Sequence, residues 1–268
     1  MKISETKGNT EILVSKSTRD LVMSDKIPLN SGISNTPSTI YVVGRPGSGK
    51  SHFLESYLRR QMRIGSDKSK ATCFDSIYVV APESSQGSYE KSFVCDCDPE
   101  KVFDELNIAN LTKIYDGCCE TKELGDDKKK NDNYFSCVLI DDCATEMRDK
   151  HVRKLLLKML RNHRHIHTTI ILVSQNYMSM DKNCRDCIRQ LVQFNTCNHK
   201  EKERIAVEWL GQFRPKEFEI LWEYLFKDKY QFLMCDRKTD EIHKTFNKID
   251  ITGIERGSED NHQYKASK

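Results

Sequence analysis

Short apolar runs alternate with amphipathic stretches along most of the chain. Four of these runs have the length and the β-branched content of buried strands: 76–81, 135–140, Thr39–Val43 and Thr168–Ser174. The clearest helix is predicted over 148–164, where an apolar stripe lies opposite a basic one. Strands that alternate with helices predict an α/β fold, with a mostly parallel central sheet flanked by helices.

The remaining apolar patterns predict shorter elements around this core. Helical spacing predicts helices over 50–63, 98–106, 184–190, 200–209 and 215–226. Further short apolar runs predict strands over 111–115, 191–195 and 230–235. Ligands of parallel sheets bind at the carboxyl ends of the strands, so polar residues that directly follow a predicted strand are candidates for function.

Polar segments divide the chain into one folded domain and its flanks. Residues 1–37 are rich in Ser, Thr, Asn and Lys, which predicts a flexible N-terminal arm or an edge segment. Residues 38–250 carry the apolar patterns of the folded domain. Within it, 116–133 contain ten charged residues out of eighteen, which is typical of a solvated insertion. Residues 251–268 are predicted to be a disordered C-terminal tail.

Composition excludes several classes of protein. The chain has 268 residues, 37% of them hydrophobic and 31% charged, as in a foldable polar domain rather than a disordered one. Its longest apolar run is five residues, 77–81, against the ~20 that a membrane-spanning helix needs. We therefore expect no membrane span.

The N-terminus lacks the apolar region of a secretory signal, so the eleven cysteines are expected to be reduced thiols. The net charge of +3 neither demands nor excludes nucleic acid.

The turn after the first strand of the domain matches the complete Walker A pattern. Its residues are Gly44, Arg45, Pro46, Gly47, Ser48, Gly49, Lys50 and Ser51. The glycines allow backbone N–H groups to surround a phosphate, and the following helix adds the positive end of its dipole. Lys50 can reach the β- and γ-phosphates, and the Ser51 hydroxyl can bind Mg²⁺. The turn therefore predicts a site for ATP and Mg²⁺.

Two further strand ends supply carboxylate and amide groups. Asp141 and Asp142 follow the run 135–140, and Gln175 follows Thr168–Ser174. Asp141 is placed to bind Mg²⁺ directly or through water, and Asp142 is the candidate base that orients and deprotonates the attacking water. The Gln175 amide could sense the γ-phosphate or position that water.

The predicted helix 148–164 and the turn that follows it are strongly basic. Residues 148–167 contain seven Lys or Arg residues, four histidines and one acid. Lys154 and Lys158 fit an ordinary solvated face. Arg161 and Arg164 are expected closer to the nucleotide end of the next strand. An arginine supplied by a neighbouring subunit can raise the rate of phosphoryl transfer by ~10³–10⁵.

Three segments together carry a family resemblance. They are the turn 44–51, the sequence Val138-Leu-Ile-Asp-Asp142, and the sequence Arg164-His-Ile-His-Thr-Thr-Ile-Ile-Leu-Val-Ser-Gln175. This set resembles the genome-packaging ATPases of poxviruses and other large DNA viruses, which belong to the wider FtsK/HerA-type P-loop motors. The resemblance covers about residues 38–195. Many cellular relatives have Glu where Asp142 stands, whereas the poxvirus-type proteins are similar to this chain in having Asp-Asp.

The resemblance implies a ring-forming ATPase that drives double-stranded DNA into a capsid. It implies that the Walker A loop binds ATP and Mg²⁺ together with Asp141, the Walker B aspartate. It gives catalytic roles to Lys50, to Asp142 as base, to Gln175 as sensor and to Arg164 as the finger that contacts a neighbouring subunit. The implied partners are double-stranded DNA, identical subunits and viral capsid or packaging proteins. The implied location is the host cytoplasm, the viral factory or the virion.

Two other functions stay open from the residues alone. A non-motor P-loop enzyme, such as a small-molecule or nucleotide kinase, would need an acceptor site and an arginine-rich lid, and no convincing lid follows the main helices. A nucleotide-binding scaffold with little turnover is favoured only by the short acid Asp142.

One set of thiols and a histidine superficially resembles a zinc site: Cys184, Cys187, Cys197 and His199. The first two fall in a predicted helix, and the second pair has Cys-x-His spacing rather than that of a ligand loop. Buried or unused thiols are the better interpretation.

Overall fold

The computed structural model describes residues 2–6, 32–61, 74–82, 85, 97–125 and 134–252. Its strands are β1 (Lys2–Thr6), β2 (Thr39–Val43), β3 (Ser76–Val80), β4 (Val102–Phe103), β5 (Ser136–Asp141), β6 (Thr168–Ser174), β7 (Gln190–Phe194), β8 (Phe232–Asp236), β9 (Glu241–Lys244) and β10 (Asn247–Thr252). Its α-helices are α1 (Lys50–Gln61), α2 (Ile108–Gly125), α3 (Lys150–Asn162), α4 (Lys182–Asp186), α5 (His199–Trp209) and α6 (Pro215–Leu225).

All of the described strands belong to one sheet, in the order β1-β10-β9-β8-β7-β2-β6-β5-β3-β4. The strands from β7 to β4 in this order are parallel to one another, and β8, β9, β10 and β1 extend the sheet with antiparallel pairs. The phosphate-loop strand β2 lies in the middle, between β6 and β7. The predicted α/β fold with a mostly parallel sheet is thus confirmed.

Helices cover both faces of this sheet, because alternate residues of its central strands point to two separate cores. Tyr41 and Val43 of β2 join a core with residues of α2, α3, α5 and α6. Ile40 and Val42 join a second core that contains the apolar face of α1. Strands buried on both faces explain why the sequence shows continuous apolar runs rather than alternation.

None of the helices that the structure describes has both the length and the apolar character that a membrane span needs.

The predictions for 111–115 and 116–133 are wrong where they meet α2. Helix α2 runs through the predicted strand and through the first half of the predicted insertion. Leu111, Ile114 and Cys118 recur at helical spacing and are fully buried against the sheet. The charged residues lie mostly on the other face, so an amphipathic helix looked like a solvated segment. Residues 126–133 lie outside the described residues.

The predicted flanks of the domain are shorter than expected. Strand β1 pairs antiparallel with β10, with Lys2 opposite Thr252, so the start of the predicted arm is an edge strand and the predicted tail begins inside β10. The predicted helix 98–106 is instead a 3-10 turn, Pro99–Lys101, followed by the short strand β4. Residues 7–31 and 253–268 lie outside the described residues, as do positions 62 and 63 of the predicted first helix.

Candidate nucleotide site

The ends of three neighbouring strands bring the predicted functional groups to one edge of the sheet. Val43 at the end of β2 lies opposite Ser174 of β6, and Asp141 of β5 lies opposite Val173 of β6. Two backbone hydrogen bonds extend this pairing into the loops, from Gly44 N to the Ser174 carbonyl (3.1 Å) and from Asp142 N to the Val173 carbonyl (3.2 Å). The phosphate loop, the acidic pair and the segment that contains Gln175 therefore begin side by side.

The glycines of the phosphate loop occupy positions that other residues would not tolerate. Gly47 and Gly49 have φ of 73° and 106°, in the left-handed region that glycine adopts without steric cost. A Cβ on Gly44 would lie 2.7 Å from Cβ of Phe194 and 2.5 Å from Oγ of Ser48. These glycines set the backbone path of the loop, and α1 begins immediately after it at Lys50.

The Lys50 ammonium lies inside the curve of the loop. Its Nζ donates hydrogen bonds to the carbonyl oxygens of Gly44 (2.6 Å) and Arg45 (3.2 Å). Partial burial lowers the pKa of Lys50, and the nearby carboxylates of Asp141 and Asp142 oppose that shift. Both carboxylates are therefore close enough to Lys50 to favour its charged form.

The acidic pair consists of two carboxylates in different surroundings. Asp141, the last residue of β5, is only 8% exposed, whereas Asp142 is half-buried. Asp142 has φ of 55°, a left-handed conformation that Asp adopts more readily than most residues. Gln175 donates a hydrogen bond from Nε2 to Oδ2 of Asp142 at 2.8 Å. The structure thus brings Lys50, Asp141, Asp142 and Gln175 to the same edge of the sheet.

The donor chemistry of this edge fits a magnesium ion bound with a nucleotide. The Ser51 hydroxyl and the Asp141 carboxylate are oxygen ligands, which Mg²⁺ prefers, and Mg²⁺ sites commonly combine one or two protein oxygens with substrate phosphates. Within the described ranges, no group of three or more His, Cys, Asp or Glu side chains could hold a metal ion. A divalent cation here would depend on phosphate oxygens for the rest of its ligands.

A buried tyrosine that sequence analysis did not single out supports the Gln175 segment. The Tyr41 hydroxyl lies 2.8 Å from Ser174 Oγ, and it donates toward the carbonyl oxygens of Asn176 (3.0 Å) and Tyr177 (3.2 Å). Burial raises the pKa of Tyr41 to about 12, so the hydroxyl stays protonated at neutral pH. Tyr41 therefore holds both sides of the turn that presents Gln175. Within the sequence, Tyr41 was indistinguishable from any apolar residue of a buried strand.

A second network anchors the same turn to α4 and α5. The backbone N–H of Tyr177 donates to Oε1 of Glu201 (2.7 Å), and its hydroxyl donates to Oε2 of Glu208 (2.6 Å). Arg185 makes two hydrogen bonds to the Glu208 carboxylate, at 2.9 and 3.0 Å. The pair is nearly buried, with side chains 5% and 8% exposed. These contacts join segments far apart in the chain, so no local pattern could have revealed them.

Arg164 does not join this cluster. It is exposed and precedes β6, whereas Gln175 follows that strand. A seven-residue strand separates the two edges of the sheet by roughly 20 Å. The expectation that Arg161 and Arg164 lie near the nucleotide end is wrong, because residues before a parallel strand lie at its amino end. Within one chain, Arg164 cannot reach a nucleotide held by Lys50.

The chain was compared with known protein families, and one of them matches it. A model of the family described as Poxvirus A32 protein matches residues 30–208. No curated protein sequence matches the chain. The matched range contains the phosphate loop, the acidic pair, Gln175 and Arg164.

Solved structures with the same fold include viral packaging proteins and a bacterial secretion ATPase. The DNA-packaging ATPase B204 of Sulfolobus turreted icosahedral virus is similar with a TM-score of 0.53 at 18% identity, over 78% of this chain and 98% of that one. The genome-packaging NTPase B204 of Sulfolobus turreted icosahedral virus 2, in complex with ATP-γS, gives 0.52 at 16% identity, over 79% and 98%. The cytoplasmic domain of the type VII secretion ATPase EccC of Thermomonospora curvata gives 0.54 at 11% identity, over 78% and 25%. These likenesses confirm the predicted P-loop ATPase fold.

Proposed function

The chain belongs to the Poxvirus A32 protein family, and on that premise we propose that it is a genome-packaging ATPase that drives double-stranded DNA into a viral capsid. The observation that carries this proposal is the position of Lys50 in its glycine loop, beside Asp141 and the hydrogen-bonded pair of Asp142 and Gln175. The two B204 proteins, which share the fold, are described as a DNA-packaging ATPase and a genome-packaging NTPase, and the second was solved with ATP-γS.

The loop and its lysine bind the phosphates. Backbone N–H groups of residues 44–51 and the N-terminus of α1 face the anion, and Lys50 exchanges its two carbonyl contacts for phosphate oxygens. Ser51 and Asp141 would hold the Mg²⁺ ion that neutralises charge on the β- and γ-phosphates. The nucleotide is thereby oriented with its γ-phosphate toward the ends of β5 and β6.

Asp142 is the base in the hydrolysis step. Its carboxylate accepts a proton from a water molecule while the water oxygen bonds to the γ-phosphorus and the bond from that phosphorus to the β–γ bridging oxygen breaks. The hydrogen bond from Gln175 holds one carboxylate oxygen and so fixes the orientation of the other. The products are ADP and inorganic phosphate, and the proton leaves Asp142 for solvent.

Arg164 acts in trans in this proposal. Its exposed position at the amino edge of β6 excludes a role at the nucleotide of its own chain but leaves it available to a neighbouring subunit. A ring of identical chains would place this edge against the next subunit's site, where an arginine stabilises charge on the transferring phosphoryl group.

In the same proposal, capsid or other packaging proteins are further partners of the chain. The chain acts in the host cytoplasm or the viral factory.

ATP hydrolysis by the full chain, measured at low salt with and without duplex DNA, tests the proposal together with native mass spectrometry. We expect turnover that duplex DNA stimulates, assemblies of several chains, and loss of turnover in Lys50→Ala. Lys216→Ala is the matched control, because Lys216 is an exposed lysine on α6 outside the loop.

A different experimental result would contradict each part of the proposal. A chain that does not hydrolyse ATP under either condition contradicts the ATPase assignment. Hydrolysis that duplex DNA does not change at low salt contradicts the motor. Transfer of phosphate to a small acceptor by a stable monomer would favour the kinase alternative.

A further inference from the structure

A cleft of about 440 Å³ lies beside the phosphate loop and is not used by the chemistry described above. Loop residues 45–48 form one wall, and Phe194 and Asn195 at the end of β7 form another. The third wall is the segment 226–231, which connects α6 to β8. The cleft therefore shares a wall with the loop that holds the phosphates.

Sheet topology places this cleft and the acidic pair on opposite sides of the loop. β2 lies between β6 and β7, so the groups that follow β5 and β6 lie on one side of it. Phe194 ends β7 on the other side, and it pairs with Phe232 of the antiparallel strand β8, so the residues just before β8 reach the same edge. A triphosphate with its γ-phosphate toward Asp142 has its other end, the nucleoside, on the cleft side.

Tyr230 is the most unusual residue of the cleft wall. Its φ is 63°, a left-handed backbone conformation that is a genuine outlier for a bulky aromatic residue. The residue is 69% exposed, although large apolar side chains are usually buried. Its ring also adjoins the phosphate loop, because a Cβ built on Gly49 would lie 3.6 Å from Tyr230 Cδ1. Strained residues of this kind concentrate at ligand sites.

We propose that this cleft binds the nucleoside part of the nucleotide, with the Tyr230 ring stacking on the base. The inference rests on the proposed ATPase function and deepens it by assigning the base its position. Phe194 contacts the loop from the same side, since a Cβ on Gly49 would lie 3.4 Å from its Cε1. Within the segment, Gln231 Nε2 donates a hydrogen bond to Oδ2 of Asp228 at 3.0 Å. The turn at Tyr230, with its left-handed backbone, thus presents an exposed ring to the cleft.

Affinities of the full chain for ATP and for inorganic tripolyphosphate, measured by calorimetry, test this assignment. Tripolyphosphate has the phosphates but no base, so only ATP should respond to the ring. Tyr230→Asn removes the ring while Asn tolerates the left-handed backbone, and ATP affinity should fall about 5- to 50-fold, within the range of one base–aromatic stack. Tyr230→Phe keeps the ring and should hold ATP affinity within about threefold.

Ile220→Ala is the matched control, because Ile220 is exposed on α6 outside the cleft. Equal ATP affinity in Tyr230→Asn and in the unmodified chain would overturn the inference. So would a parallel loss for ATP and tripolyphosphate, which would mean that the loop itself had been disturbed. Failure of the unmodified chain to bind either ligand would instead contradict the ATPase proposal, so the two failures are distinguishable.

Discussion

Gln175 and Asp142, which lie 33 residues apart in the sequence, are joined by a hydrogen bond of 2.8 Å from the amide Nε2 to the carboxylate Oδ2. Each residue directly follows a strand, and the two strands are neighbours in the sheet. The bond gives the proposed base a defined orientation. It also links the proposed base to the turn after β6, which hydrogen bonds of Tyr41 and Tyr177 anchor. The orientation of Asp142 therefore depends on buried residues of other strands and helices.

Asp142→Asn should lower kcat for ATP hydrolysis by about 10²–10⁴-fold, because the amide cannot accept the proton of the attacking water. Nucleotide affinity should change little, since Lys50 and the loop are untouched. Steady-state hydrolysis and calorimetric binding measure the two effects. Asp240→Asn is a closely matched control, because Asp240 is an exposed aspartate with the same φ of 55° outside the site. Undiminished turnover in Asp142→Asn would remove Asp142 as the base.

Gln175→Ala should reduce kcat by about 10²-fold, the usual consequence of a misplaced catalytic group. The loss should appear in kcat rather than in ATP affinity, because the amide contacts the base and not the phosphate loop. Gln212→Ala, at another exposed glutamine, should leave both quantities unchanged. A loss confined to affinity would indicate that Gln175 binds the nucleotide instead of orienting Asp142.

Tyr41→Phe should destabilise the fold by about 1–3 kcal/mol, because buried groups lose their hydrogen-bond partner. The same change should lower kcat, since the turn that carries Gln175 loses its support. Urea unfolding and hydrolysis assays measure the two effects. Tyr115→Phe is the control, because Tyr115 presents its ring to the Lys158 ammonium at 4.4 Å and Phe retains that ring. Wild-type stability in Tyr41→Phe would contradict a supporting role for the hydroxyl.

Arg164→Ala should keep ATP affinity but abolish turnover, because the proposed function has this arginine act on a neighbouring subunit's nucleotide. Mixing Arg164→Ala chains with Lys50→Ala chains should restore part of the activity, since each supplies what the other lacks. An effect of 10³–10⁵-fold on turnover is expected of such a residue. Arg214→Ala, in a chain of otherwise native sequence, tests whether any exposed arginine has this effect. Mixtures without recovery would argue against action between subunits.

Stability should fall in acid as Glu208 loses its charge. Burial opposes ionisation, but hydrogen bonds from Arg185 and Tyr177 prevail and lower the pKa of the Glu208 carboxyl. The ionised Glu208 contributes fully to the free energy of unfolding above the unfolded-state pKa of about 4.3. That contribution is lost as pH falls through the lower folded-state pKa. Glu208→Gln should cost about 3 kcal/mol at pH 7, because it leaves the buried guanidinium of Arg185 without its counter-charge.

Urea unfolding of both proteins from pH 7 to pH 3 checks this pH dependence. The difference in the free energy of unfolding between the native chain and Glu208→Gln should narrow at the acid end. A difference that stays constant across the range would show that the carboxylate does not titrate with folding.

The phosphate loop, the acidic pair and Gln175 could be predicted because each combines a local pattern with a strand end. Parallel strands place their carboxyl ends together, so the groups that follow β2, β5 and β6 are expected at one edge of the sheet once the strands are recognised. Arg164 shows the limit of that reasoning. Its position in the chain is close to β6, but the direction of the strand puts it at the opposite edge.

Helix α2 and the antiparallel strands β9 and β10 were not predicted. The pattern of α2 is dominated by charge, and its buried stripe becomes visible only against the sheet that covers it. The two strands are short and polar, and they are stabilised by pairing with β8 and with each other. Propensity is a weak guide where a neighbouring element supplies the hydrogen bonds.

The sequence by itself determined the family, the fold class and the residues proposed to bind phosphate, because these depend on glycine backbone freedom, on ionisable groups and on periodicity within a few residues. Only the tertiary structure decided which distant groups support and complete the site. Tyr41 beneath Gln175, Glu208 bonded to Arg185, and Tyr230 against Gly49 are contacts between separate elements. Their energies come from burial and hydrogen-bond geometry, which do not exist until the sheet has assembled.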